Sequence, residues 1–187
     1  EFMNYYLMNV MQEFDPELDM LLFYLPLAGS AFKKVYYDTT LNRAMCKFIA
    51  PEDLIVPYES TDLTSAERVT HVLSMSKNEI KKQQLSGFYA NIDLKGDSFS
   101  LDRDEIEEQI DKIEGLKPGY RESRDHVVYE VHTILDLPGF EDVDDAGRPT
   151  GLKLPYIITV DETTTQVLSI RRNYAETDPL KNKINYF

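Results

Sequence analysis

Thiol chemistry is nearly absent from this chain: Cys46 is the single cysteine in 187 residues. No internal disulfide can form, which fits a reducing compartment. Long apolar runs are missing as well. The longest, around Met20 to Leu25, is closed by Pro26 and falls far short of the roughly 20 residues that cross a bilayer, so no membrane span is expected. Positive charge is scarce, with 20 Lys and Arg against 33 Asp and Glu and a net charge of −13. Affinity for a nucleic-acid backbone comes mainly from Lys and Arg displacing counterions, so tight wrapping of DNA is not expected. An acidic wall past which DNA slides without sticking remains compatible. Bases such as Lys33-Lys34, Lys81-Lys82, Arg171-Arg172, Lys181 and Lys183 are too scattered to argue a groove.

Catalytic signatures are lacking too. There is no G-x-S-x-G elbow, no Walker loop and no G-x-G-x-x-G run. Cys46 falls in a predicted strand with no activating motif beside it. Repeats of solenoid period and low-complexity tracts are absent. The expectation is a non-enzyme without a cofactor or metal.

What remains is globular composition, 42% hydrophobic and 28% charged, too apolar for a disordered chain and long enough for one domain or two small subdomains. Glu1 and Phe2, ahead of Met3, read as residues left by cloning. The apolar and polar alternation of Ile184-Asn185-Tyr186-Phe187 fits either excision from a longer protein or a terminal strand docked in a sheet.

Tyr6, Val10 and Phe14 at fourfold spacing, with Leu7 and Met11 beside them, predict an amphipathic helix over residues 3–14. Asp15-Pro16-Glu17 reads as a new helix start, with an N-cap, a proline at the first helical position and an acid in the first turn. Leu18, Leu21, Leu22 and Leu25 form its apolar stripe, and Pro26 and Gly29 end it. These two helices are expected to pack together. Phe32, Val35, Tyr36 and Tyr37, a turn at 38–42, and a return over 45–49 predict a hairpin. Pro51 and Pro57 bracket an irregular segment, and alternation over 69–75 predicts another strand. Ser76-Lys77-Asn78-Glu79 is a capping box that starts a helix over 77–86, stopped by Gly87. A similar start at Asp102-Arg103-Asp104-Glu105 opens a helix with Ile106, Ile110 and Ile113 on one face and acids on the other. Residues 126–135 predict a strand, and 155–160 with 167–172 a hairpin around 161–165. The fold class is α+β, with N-terminal helices followed by antiparallel β-hairpins and interspersed short helices. The Gly and Asp segment at 93–100 separates a helical and hairpin subdomain (3–92) from a mainly β subdomain with one acidic helix (93–187).

Three constellations bear on chemistry. Period-two alternation puts His126, Glu130 and His132 on one strand face, a set that in principle suits zinc in a metal-dependent hydrolase. Residues two apart on a strand are about 6.5–7 Å apart, so sharing an ion requires His126 to bend in; a solvated strand face is the simpler reading. His71 reads as a packed or exposed imidazole. Asp142, Asp144, Asp145 and Gly147 resemble a calcium loop, but Ala146 and Lys153 hold positions that need oxygen ligands, so a polar turn is expected. The acids Asp102, Asp104, Glu105, Glu107, Glu108, Asp111 and Glu114 are spread by helix geometry around a surface, whereas two-metal sites need acids converging from several elements.

The run Leu21-Leu22-Phe23-Tyr24-Leu25-Pro26-Leu27-Ala28-Gly29-Ser30-Ala31-Phe32-Lys33-Lys34-Val35-Tyr36-Tyr37-Asp38 resembles the portal proteins of short-tailed bacteriophages and related prophages. So does the order of the later segments: Pro51-Glu52-Asp53-Leu54-Ile55-Val56-Pro57-Tyr58, then Glu67-Arg68-Val69-Thr70-His71-Val72, the Ser76 helix start, His132 to Phe140, Gly151 to Tyr156, and Val167-Leu168-Ser169-Ile170-Arg171-Arg172-Asn173-Tyr174. The resemblance covers nearly the whole chain from Met3 and is specific as an ordered series, weak in any one piece. It implies a fragment of a structural ring subunit, typically one of twelve, sitting at one capsid vertex and forming the head-to-tail connector channel for DNA packaging and ejection. The implied partners are other portal subunits, terminase, capsid and head-to-tail connector proteins, with double-stranded DNA passing through without sequence-specific binding. The implied location is the virion, assembled in the host bacterial cytoplasm, with no membrane partner. Residues 3–92 would be wing-like and 93–187 wing or clip. A generic acidic protein-binding module is the bland alternative.

Overall fold

The computed structural model describes residues 2–38, 41–94, 126–143 and 147–184. The chain opens with α1 (Phe2–Tyr5), which runs into a single π-helical turn over Tyr6–Val10. The continuous helix expected over 3–14 is therefore broken. Met11 leaves helical space at φ −95°, ψ 71° and its side chain is buried, while its N–H still reaches the Tyr6 carbonyl at 3.0 Å.

The second helix, α2, spans Phe14–Ala28 and is preceded by Glu13, so Asp15 is not the N-cap. Asp15 and Glu17 fall instead in the first turn, where carboxylates meet the unpaired N–H groups of the helix start. Pro26 lies inside the last turn and does not end the helix. Gly29 ends it, in the left-handed region at φ 76°, with its N–H on the Leu25 carbonyl at 3.0 Å, a conformation that costs glycine little.

Strands β1 (Phe32–Asp38) and β2 (Arg43–Ile49) form an antiparallel pair from Phe32↔Ile49 to Asp38↔Arg43. The Asp38 carboxylate accepts from the Leu41 N–H at 3.0 Å, and the Tyr37 hydroxyl donates to Asn42 at 2.7 Å. Asn42 is left-handed at φ 52°, which its short polar side chain tolerates. The π-helical turn touches α2, and α2 packs more extensively on β2. Tyr24 is the anchor, its ring 5.1 Å from that of Phe48, and the Glu17 carboxylate accepts the Phe48 N–H. Leu18 and Leu21 are half-buried on this side, whereas Leu22 and Leu25 are exposed. The apolar stripe read from the leucines is thus rotated toward the tyrosine.

The irregular segment after Pro51 contains a 3-10 turn (Pro51–Asp53) and a two-residue strand, β3 (Leu54–Ile55), paired antiparallel with His71 and Thr70 of β4 (Arg68–Met75). Helix α3 (Lys77–Leu85) has the expected capping box: Ser76 Oγ accepts the Glu79 N–H at 3.2 Å, and Glu79 accepts the Ser76 N–H at 2.8 Å. Strands β5 (His126–Leu135), β6 (Leu154–Asp161) and β7 (Val167–Arg172) come next. β6 and β7 are antiparallel, with a register shift at Thr159/Val160. Besides the β1-β2 sheet there is a five-stranded sheet of order β3-β4-β5-β6-β7. The architecture is α+β, N-terminal helices first and hairpins after. Among the described residues no helix is long and apolar enough to cross a membrane. The helix expected from Asp102, with Ile106, Ile110 and Ile113, and the pair Asp144 and Asp145 lie outside the described residues.

The chain resolves into two compact units, each assembled from separated stretches: residues 1–71, 132–155 and 173–187 in one, and 72–131 and 156–172 in the other. The boundary expected at 93–100 is a single cut, whereas these units interleave along the sequence. The first unit's core gathers Ile49, Leu54, Ala66 and Val69, with Phe32, Val56 and Leu63 against them. The second gathers Ile80, Tyr89, Val128 and Leu168, with Leu73, Met75 and Leu94.

Candidate functional site

Two of the side chains singled out on β5, His126 and Glu130, have different charged neighbours. His126 and His132 are buried. His126 Nδ1 lies 3.2 Å from Asp161 Oδ1, and the Glu130 carboxylate is 4.0 Å from the Arg171 guanidinium, which stacks over Phe88 at 4.1 Å. No group of three His, Cys, Asp or Glu side chains among the described residues could hold a metal ion. The solvated-face reading fails for His126 and His132, which are buried.

The remaining candidates have ordinary structural surroundings. His71 is buried on β4 opposite Leu54. Cys46 is buried, and burial pushes its thiol pKa up, the wrong direction for a thiolate nucleophile. Asp142 belongs to a polar turn: its carboxylate accepts from Lys181 and from the Thr150 hydroxyl, the latter at 2.7 Å. These bonds, that from Lys181 foremost, hold its pKa below the ordinary carboxylate value.

The built polar feature is a cleft in the second unit. One face of α3 supplies Lys77, Ile80, Lys81 and Gln84, at the three- and four-residue spacing that stacks side chains on one side of a helix. Residues 91–94 form another wall, and His126 completes the lining of a volume of about 370 Å³. The carboxamide of Gln84 donates to the Ile92 carbonyl at 2.7 Å, tying helix to wall.

Behind the cleft His126 is fixed by Asp161, which is 0% exposed. Burying a carboxylate costs several kcal/mol unless its lone pairs are satisfied. Asp161 has three partners: the Thr164 N–H at 2.9 Å, the Thr164 hydroxyl at 2.7 Å and His126 Nδ1. The turn between β6 and β7 makes this possible. Asp161 N–H bonds the Gln166 carbonyl at 3.0 Å, and Thr165 is left-handed at φ 53°, an uncommon state for a β-branched residue. Asp161 engages Nδ1, and Nε2 is the second polar atom of a side chain that lines the cleft.

Strand alternation found His126 but not its partner Asp161. Asp161 was read as a turn residue, and it lies 35 positions away, a separation with no motif signal. Lys81 passed as a scattered base and Lys77 as part of the capping box, although their i, i+4 spacing on a capped helix is visible in the sequence.

The first unit carries a different surface feature. On α2, Met20, Leu22, Phe23, Leu25 and Leu27 are all exposed, as are Val35 and Tyr37 on β1. Single exposed apolar residues are ordinary; five on one helix are more than that. No protein-family model matches the chain, and no curated protein matches it.

Proposed function

We propose that this chain is a piece of a bacteriophage portal protein of the short-tailed phage type, a structural ring subunit through which DNA is packaged and ejected. The observation that carries the reading is the ordered series of segments from Leu21 to Tyr174 that resembles that family. The α+β architecture is compatible with it. The exposed apolar run of α2 supports it, because a ring subunit must cover such residues with a neighbour. The net charge of −13 suits a protein that lets DNA pass and does not wrap it. The subunit itself carries no catalytic role on this reading, and its partners are further copies, terminase, capsid and connector proteins.

The parent reading frame tests this directly. It is expected to continue for several hundred codons and to lie beside terminase and capsid genes. A frame confined to these residues, or one set among unrelated metabolic genes, would overturn the proposal.

A further inference from the structure

The cleft of the second unit has the makings of an anion site that a purely structural subunit does not require. We infer that it binds a phosphate group, borne either by free inorganic phosphate or by a small phosphate monoester, with Lys77 and Lys81 supplying charge and His126 supplying a directional hydrogen bond.

The charge is local and runs against the molecule as a whole. The lining holds Lys77 and Lys81, four residues apart on α3, against Asp93, and Lys81 Nζ lies 3.4 Å from Gln84 Oε1 on the same helix. Among the described lining residues bases thus outnumber acids, in a chain of net charge −13, on a concave surface where field lines concentrate. Two lysines argue for an anion and against a metal ion. Lysine binds phosphate as a mobile point charge, so the geometry has to come from another group.

His126 is that group. Its ring is anchored at Nδ1 by a buried carboxylate that the Thr164 N–H and hydroxyl hold in place. Nε2, the ring's other polar atom, is the one that hydrogen-bonds a phosphate oxygen. Asn91 adds a carboxamide to the lining. The volume of about 370 Å³ is at the lower end of the roughly 300–1,000 Å³ usual for small-molecule clefts, which leaves room for an organic group beside the phosphate.

Calorimetric titration of the chain with inorganic phosphate and, separately, with glycerol 3-phosphate, at constant ionic strength set with chloride, tests the assignment. Saturable binding of at least one probe is expected. Lys77→Gln and Lys81→Gln should each weaken it by about tenfold, the scale of one charge-assisted hydrogen bond, while Lys47→Gln on β2 leaves it unchanged. The nitrogen resonances of His126 should shift on addition of the same probe, a response that a histidine serving only the core would not give. Tighter binding of the ester identifies a small phosphorylated molecule as the ligand class; tighter binding of phosphate identifies the free ion. Absence of saturable binding of both probes, or equal binding by the wild type and both cleft lysine variants with circular dichroism unchanged, overturns the inference.

Discussion

Asp161 concentrates polar interaction in the second unit. It is fully buried, and it satisfies a backbone N–H, a hydroxyl and an imidazole at once. Removing a buried hydrogen-bonded carboxylate leaves its partners desolvated and unsatisfied, typically at about 1–3 kcal/mol each. Asp161→Ala is therefore expected to lower stability by that order in chemical denaturation, and a loss below about 1 kcal/mol would mean that the pairing with His126 is not made. Asp142 offers a test by titration. Its pKa is held down in the folded state, first by Lys181 and then by Thr150, so its contribution is present above the unfolded value of about 3.9 and fades as pH falls through the lower folded value. Carboxyl chemical shifts should place its midpoint below that of an ordinary aspartate, and Lys181→Ala should return it toward that value. At this scale the sequence was least informative. Residue types could be seen, but the partner that turns His126 from a supposed zinc ligand into an aspartate-anchored ring is brought in by tertiary structure.

Elements were more legible, where local chemistry is strong and short-ranged. The Ser76 and Glu79 capping box predicts the start of α3, and Val, Tyr and Ile alternation predicts β5, because both depend on neighbours within a few residues. Reading failed where packing overrode the local signal. Met11 breaks the first helix by burying its side chain, and Tyr24, not Leu22 or Leu25, seats α2 on β2. β3, two residues long and bracketed by prolines, is defined by its partner β4 and had no signal of its own. Two substitutions weigh these contributions. Ser76→Ala should cost about 1 kcal/mol, seen as roughly fivefold faster hydrogen exchange of the α3 amides. Tyr24→Ala should cost about 3–5 kcal/mol by emptying the site against Phe48, with exchange in α2 accelerated far more.

For the molecule as a whole, two properties visible in composition and surface pull in opposite directions. Net charge of −13 keeps copies apart in solution, while the exposed Leu22, Phe23, Leu25 and Leu27 of α2 favour association. A ring subunit reconciles them when the apolar face is covered by the next copy and the acids face water or the channel. Leu22→Lys with Phe23→Lys should then abolish assembly of the parent protein without unfolding the α2 and β2 pair. Fold class was readable from the order of helix and hairpin signals. The interleaving of the two compact units was not, since it depends on which strands pair across long stretches of sequence. Membership of a ring subunit is tested most directly by electron microscopy of the purified parent protein. Closed rings of about twelve subunits around an open channel are the predicted result, and a monodisperse monomer at every protein concentration and salt condition tried would contradict it.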